Sequence, residues 1–135
     1  MTVERFGISM EPELLARFDK LMRSRGYMSR SEFIRDLTRK SLLESDVESG
    51  KGNVIGTLTI VYDHNIGNVA DKLLHLQHHH HEEIMSSVHI HMNEQACLEV
   101  LIIRGKTSGV RKLADNIKAL KGIKHGELVI TKESV

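Results

Sequence analysis

The chain opens with one short strand that has no second strand nearby to pair with. Residues 3–10, VERFGISM, alternate, so that Phe6 and Ile8 face one way and Arg5 and Ser9 the other. Two helices follow at once, and so short a segment leaves open strand edges and too small a core to fold alone. A second copy is therefore required. We expect the two strands to pair antiparallel, above four helices, in an intertwined dimer.

The two helices after the strand have clear start signals. Pro12 suits a first helical turn, and apolar residues at helical spacing follow as far as Met22. Ser29 and Glu32 form a capping box, in which each side chain bonds the backbone amide of the other residue. The second helix is predicted to end near Glu44.

A second domain is predicted beyond a small, polar linker. We place the linker at residues 47–53, between a domain of residues 1–46 and one of residues 54–135. The order of patterns beyond the linker is βαββαβ, the ferredoxin-like unit in which two helices cover one face of an antiparallel sheet. The chain is thus predicted to be an α+β protein. The bare second face of the sheet again requires a partner.

Composition excludes several classes of protein. The net charge of the 135 residues is +1, so bulk charge argues neither for nor against nucleic acid. Apolar runs such as LEVLII fall far short of the ~20 residues that span a bilayer, and the first residues lack the features of a signal peptide. The single cysteine can form no disulfide within the chain. We therefore predict a cytoplasmic protein with no membrane partner.

Six of the nine histidines and the cysteine lie in the stretch QHHHHEEIMSSVHIHMNEQACLEV. His89 and His91 are two apart on a predicted strand, so both imidazoles leave from one face. If residues 92–96 form a five-residue hairpin loop, His91 opposes Cys97 and the thiolate joins that face. The histidine run that begins at His78 can supply a fourth ligand, from the same chain or from another.

This donor set leaves the metal open. Three imidazoles and one thiolate suit tetrahedral zinc, trigonal copper, or planar Ni(II) or Cu(II). Each group also has a simpler explanation, because a buried cysteine packs as a small apolar residue and a histidine run can be a solvated loop. Their concentration in one stretch favours a metal site.

Both halves together resemble the nickel-responsive repressors of bacteria and archaea over essentially the whole chain. The resemblance rests on a ribbon-helix-helix order followed by an ACT-like βαββαβ domain that carries QHHHH and the pattern HxHx(5)C. It implies one Ni(II) per subunit in a planar site, held by His89, His91 and Cys97 of one subunit and His78 of a neighbouring subunit. It also implies a homotetramer, a dimer of dimers, that binds double-stranded operator DNA.

The resemblance further implies that the paired ribbon reads base edges in the major groove. Arg5, Gly7 and Ser9 hold the outward positions, where arginine can bind guanine through two hydrogen bonds and glycine offers no side chain. Backbone amides around Arg30 and Ser31, at the start of the second helix, are expected to anchor a phosphate.

Three carboxylates have predicted roles beside these sites. Glu99 lies two residues past Cys97 on the same strand face and is expected to orient a ligand imidazole. The resemblance implies that Glu32 and Asp36, one helical turn apart, help to hold a cation between the two domains in the DNA-bound form.

The favoured hypothesis is a nickel-dependent transcriptional repressor, not an enzyme, with no small organic substrate, that regulates nickel uptake or nickel-enzyme genes. The alternative is a storage or delivery protein for nickel or another transition metal, whose N-terminal module only dimerises. It predicts metal transfer and no sequence-specific DNA complex. A zinc hydrolase would need an open coordination position beside a general base, and the ligand set is already filled.

Overall fold

A computed structural model describes residues 2–132, and the chain divides into two units after Ser41. The first unit holds helix α1 (Pro12–Ser24) and most of helix α2 (Arg30–Ser49). Throughout the described residues, no helix has both the length and the apolar character needed to cross a membrane.

The predicted helix starts are confirmed. Pro12 is the first residue of α1, and Gly26 follows the end of that helix with a φ of 81°, a conformation that favours glycine. Ser29 caps α2, because its Oγ accepts a hydrogen bond from the amide of Glu32 at 3.2 Å. The reciprocal bond from the Glu32 carboxylate is absent within the part of the chain that the structure describes.

Helix α2 is longer than predicted. It continues to Ser49, so the predicted end near Glu44 is wrong, and residues 47–49 of the predicted linker are helical. The predicted linker consists mostly of small and polar residues, but the side chain of Val47 within it is buried in the core of the second unit. Burial of that side chain favours continued helix over open linker. Residues 50–52 alone connect α2 to the next strand.

The predicted N-terminal strand is not formed within the single chain. Residues 2–11 have no regular secondary structure, and Phe6 and Ile8 are 77% and 64% exposed. A strand is defined by hydrogen bonds to a neighbouring strand, and none of the described strands pairs with this segment. The two apolar side chains therefore remain available to a second copy.

The second unit has the predicted βαββαβ order. Its four strands form one antiparallel sheet in the order β2-β3-β1-β4, and α4 packs on β1, β3 and β4. The sequence prediction of an α+β protein is confirmed. The elements are β1 (Asn53–Asp63), α3 (Val69–His79), β2 (Ile84–His91), β3 (Ala96–Lys106), α4 (Thr107–Lys118) and β4 (Ile123–Thr131).

The core lies on one face of the sheet and includes buried residues of both α3 and α4. Every second residue of β1 is buried, and the centre of this face is Leu58, beside Ile117 of α4 in the same apolar cluster. Gly56 allows the helix to approach, because a Cβ there would lie 2.9 Å from side-chain atoms of both Leu128 and Val110. This packing holds β1 close to α4 and β4.

Leu58→Ala is expected to destabilise this unit by about 2–5 kcal/mol, because it removes a fully buried side chain and leaves a cavity. Urea unfolding of the apoprotein measures the change. Leu74→Ala, at a position 68% exposed on α3, is the matched control and is expected to cost less than about 0.5 kcal/mol. Equal losses for both variants would contradict this assignment of the core.

Among the described residues, the opposite face of the sheet presents exposed apolar side chains. Val88 and Ile90 on β2 and Val129 on β4 are each more than half exposed. Three residues of β3 between these strands, Leu98, Val100 and Ile102, are only partly buried. A continuous apolar patch of this kind is typical of an interface with another protein.

Candidate metal centre

The hairpin of β2 and β3 places the predicted ligands on one face. His91 lies opposite Cys97, and His89 lies opposite Glu99, as the five-residue loop predicted. The side chain of Asn93 shapes that loop, because its Oδ1 accepts hydrogen bonds from the amides of Gln95 and Ala96 at 2.9 and 2.8 Å. A loop one residue shorter would turn the cysteine to the other face.

Cys97 is completely buried and lies between two imidazoles. Its Sγ is 3.4 Å from Nδ1 of His91 and 3.6 Å from Nδ1 of His64. The three donor atoms all lie within 4.8 Å of one another. A thiolate with two imidazoles is a donor set that fits zinc, nickel, copper or cobalt, so the residues present fit a transition-metal ion.

His64 was not among the ligands predicted for the nickel site. It is the residue directly after β1, and β1 pairs with β3 so that Tyr62 faces Cys97 and Asp63 faces Ala96. More than thirty residues separate His64 from the cysteine in the sequence. Only the strand order, with β1 beside β3, brings the two side chains together.

The environment of Cys97 favours the neutral thiol when no metal is bound. Burial is the main cause that raises its pKa, and the negative charges of Glu99 and Asp63 add to the effect. A metal ion must therefore displace the thiol proton, which links metal binding to proton release.

His89 lies beside a buried carboxylate. Its Nδ1 lies 3.9 Å from Oε1 of Glu99, a residue only 4% exposed. Glu99 also accepts hydrogen bonds from the Tyr62 hydroxyl at 3.0 Å and from Nε2 of Gln77 at 2.7 Å. Burial and then the bond to Glu99 raise the pKa of Tyr62, so the phenol remains a donor. The carboxylate of Glu99 thus has three side-chain neighbours, Tyr62, Gln77 and His89.

His78 lies apart from these donors in the single chain. It is exposed in the last turn of α3, and the three-residue cluster around Cys97 includes neither His78 nor His89. The preceding residue, Gln77, bonds both Glu99 and Ser87, whose Oγ is 3.2 Å from Oε1 of the glutamine. The end of α3 is therefore tied to the same strands that carry the histidines.

The residues predicted to contact DNA lie in the first unit and are exposed. Arg5, Gly7 and Ser9 occupy the irregular N-terminal segment, and Ser31 is in the first turn of α2. The guanidinium of Arg30 is held by Asp19, with bonds of 2.9 and 2.8 Å. Hydrogen bonding to that guanidinium lowers the pKa of Asp19.

The carboxylates predicted to hold an inter-domain cation have local partners. Asp36 accepts hydrogen bonds from the Tyr27 hydroxyl at 2.5 Å and from Arg39 at 2.9 Å. The bond from Tyr27 lowers the pKa of Asp36, and Arg39 adds to the shift. Glu32 is exposed one turn earlier on the same helix.

Comparison with known proteins matches each of the two units to a protein family. The profile of the NikR C-terminal nickel-binding domain matches residues 55–131, and the profile of ribbon-helix-helix proteins of the copG family matches residues 4–44. The chain belongs to the nickel-responsive regulator family. The family is one of transcriptional regulators, not of enzymes, and the fold class predicted from the sequence is confirmed.

Relatives in this family match almost the whole chain. A nickel-responsive regulator of Geobacter metallireducens is 49% identical over 127 residues, which cover 94% of this chain and 91% of the relative. One of Thermococcus onnurineus is 46% identical over 131 residues, 97% of this chain and 95% of the relative. An uncharacterized protein of Thermotoga maritima shares the fold, with a TM-score of 0.53, 18% identity, and coverage of 60% of this chain and 100% of its own.

Proposed function

We propose that this protein is a nickel-dependent transcriptional repressor. The observation that carries the proposal is the strand register that sets His91 opposite a fully buried Cys97, with Sγ and Nδ1 3.4 Å apart. Membership of the nickel-responsive regulator family supports nickel as the effector. The proposed ligands of one Ni(II) per subunit are His89, His91 and Cys97 of one chain and His78 of a neighbouring chain.

A planar site has a physical reason to select nickel. Ni(II) favours square-planar coordination by nitrogen and strong thiolate donors, whereas Zn(II) gains nothing from flattening. His78 is exposed at the end of α3 and outside the cluster around Cys97 of its own chain, which suits donation to a neighbour. Nickel would then join two subunits, and its binding free energy would become free energy of assembly or ordering.

The proposed assembly is a homotetramer, a dimer of dimers. The exposed apolar residues Phe6 and Ile8 support one interface, in which two N-terminal segments pair as a ribbon. The bare sheet face with Val88 and Ile90 supports a second interface between the metal-binding domains. The proposed division is a DNA-binding domain of residues 1–46 and a metal-binding domain of residues 54–135, in a cytoplasmic protein.

In the proposed DNA complex, two ribbons bind the major groove of double-stranded operator DNA. Arg5, Gly7 and Ser9 face the bases, and the amides of Arg30 and Ser31 bind a phosphate. The pairing of Arg30 with Asp19 restricts its side chain, so the amides carry this contact. The cation proposed for Glu32 and Asp36 would have to replace the Tyr27 and Arg39 contacts of Asp36.

The test is a titration of the reduced apoprotein with Ni(II), followed by optical absorption and by enrichment of bound genomic DNA fragments with and without nickel. We expect a yellow species with thiolate-to-nickel charge transfer, one equivalent per chain, and nickel-dependent capture of specific fragments. The His89→Ala variant should lose the yellow species and the nickel-dependent capture of DNA. The His125→Ala variant, at an exposed histidine of β4, should keep both properties. Unchanged nickel-dependent DNA binding in His89→Ala would overturn the mechanism. Metal binding and transfer without any specific DNA complex would favour the storage or delivery alternative.

Glu99→Gln is expected to weaken nickel binding about 10- to 100-fold, since the carboxylate beside His89 orients that imidazole. Competition of the apoprotein with a chelator for Ni(II) measures the affinity. Glu127→Gln, on an exposed residue of β4, is the matched control and should leave the affinity unchanged. If the two variants bind nickel equally well, Glu99 does not position a ligand.

A further inference from the structure

A cavity of about 410 Å³ lies where the end of β3, the first turns of α4 and the turn after α3 meet. Its volume is within the range of small-molecule sites, about 300–1,000 Å³. Among the described residues that line it, none belongs to the ligands proposed for nickel or to the residues proposed to contact DNA. The cavity therefore has no part in the function proposed above.

The floor of the cavity is apolar. Three of its lining residues are almost completely buried, namely Ile103, Val110 and Leu113. These side chains offer no hydrogen bond to a ligand, and an apolar group placed against them is removed from water. The floor therefore favours an apolar part of a ligand.

The rim of the cavity is positively charged. Arg104, Lys106 and Lys112 are exposed and line it, against the single carboxylate of Glu83. An Oε2 atom of that carboxylate already lies 3.6 Å from Nδ1 of His80. The net charge of the whole chain is only +1, so this excess of positive charge is local. It favours a negatively charged ligand.

Helix α4, which borders the cavity, begins without the usual compensation of its dipole. Its first turn contains no acidic residue, and the side chain of its N-cap residue, Lys106, makes no capping hydrogen bond. Amides in such a first turn attract an anion. Gly109 of this turn lines the cavity, and a Cβ there would meet no atom of another element within 4 Å. The backbone of α4 is thus open to a ligand at this point.

The first residue of α4 adds a separate observation. Thr107 is only 4% exposed, and its Oγ1 is buried without a hydrogen-bond partner among the described residues. A buried hydroxyl without a partner costs free energy, so most such groups in native proteins have one. Thr107 lies between two lining residues, Lys106 and Gly109, so a ligand or a water molecule held in the cavity is a candidate for that partner.

We propose that this cavity binds a small organic anion. The carboxylate or phosphate group of the ligand lies against the charged rim and the first turn of α4, and its apolar part lies against the floor. Arginine and lysine bind both anionic groups, so the shared chemistry is a compact apolar body with one anionic end. No covalent bond changes on binding.

The test is a calorimetric titration of the nickel-free full-length protein at low ionic strength, where charge interactions are least screened. A pH of about 8 keeps the exposed histidines neutral, so that they do not attract the anion. The probes are phenyl phosphate, benzoate and inorganic phosphate. The first two distinguish a phosphate ester from a carboxylate, and inorganic phosphate lacks an apolar part. We expect saturable binding of at least one organic anion, one per chain, tighter than that of inorganic phosphate and weakened by added salt.

The double variant Arg104→Gln, Lys112→Gln is expected to weaken this binding at least about tenfold, because it removes two charged hydrogen-bond donors from the rim. The matched control is Lys72→Gln, Lys124→Gln, which removes two charges at exposed positions outside the cavity. It should leave the binding unchanged.

Gly109→Leu tests the same cavity without removing a charge. Leucine favours helix more than glycine does, so the apoprotein should unfold at a higher temperature. The added side chain occupies open space at the cavity wall, so binding of the organic anion should be lost. Loss of binding in a more stable protein cannot be a result of unfolding.

The proposal would be overturned if neither organic anion bound, or if the two double variants bound it equally well. Unchanged binding in Gly109→Leu would place the anion elsewhere. Inorganic phosphate that bound as tightly as phenyl phosphate would indicate an adventitious ion only. Failure of the proposed function has a different signature, because nickel-dependent DNA capture would then be absent while the organic anion still bound.

Discussion

Phe6→Glu is expected to separate the proposed N-terminal dimer and abolish the proposed operator binding at any nickel concentration. The phenyl ring is 77% exposed in one chain, and pairing of two chains would bury both copies. Burial of a phenylalanine contributes about 1.5–3 kcal/mol, so two copies contribute about 3–6 kcal/mol, roughly two to four powers of ten in the dimerisation constant. A buried carboxylate adds a further penalty. Analytical ultracentrifugation and DNA-binding titrations measure the two losses.

Arg5→Ala is the matched control, one residue away and on the opposite predicted face. It should leave the oligomeric state unchanged and weaken binding to the specific site by about 1–3 kcal/mol, with little effect on non-specific DNA. Loss of assembly in Arg5→Ala, or normal assembly in Phe6→Glu, would show that the two faces of the N-terminal segment are assigned the wrong way round.

Cys97→Ala is expected to remove the stabilisation that nickel gives to the protein. At nickel concentrations about 100-fold above the dissociation constant, a ligand that binds only the folded state stabilises it by about 2.7 kcal/mol. The thiolate is the only sulfur donor among the proposed nickel ligands, so its loss should abolish the thiolate-to-nickel charge-transfer band. Chemical unfolding with and without Ni(II) measures the difference.

The apoprotein provides the internal control for this variant. Replacing one buried thiol by a methyl group should change the stability of the metal-free protein by about 1 kcal/mol, because the side chain is small. A nickel-induced stabilisation that survives in Cys97→Ala would place the nickel ligands elsewhere, with the exposed run of histidines as the first candidate.

Local pattern was sufficient for the elements of the second unit and for its hairpin register. The order of patterns beyond the linker predicted the βαββαβ unit, and a five-residue loop predicted that His91 faces Cys97. These features follow from interactions between residues close in sequence. The predicted end of α2 failed because Val47, in a stretch of polar residues, packs against residues distant in sequence.

The sequence by itself determined the α+β class, the βαββαβ order of the second unit and the starts of the two N-terminal helices, because periodicity and capping are local properties. Tertiary structure alone decided which donors meet. Pairing of β1 with β3 brings His64 to Cys97 and leaves His89 beside Glu99, and both outcomes depend on contacts across the sheet. Strand order is set by burial of the whole core, so no short stretch of residues encodes it.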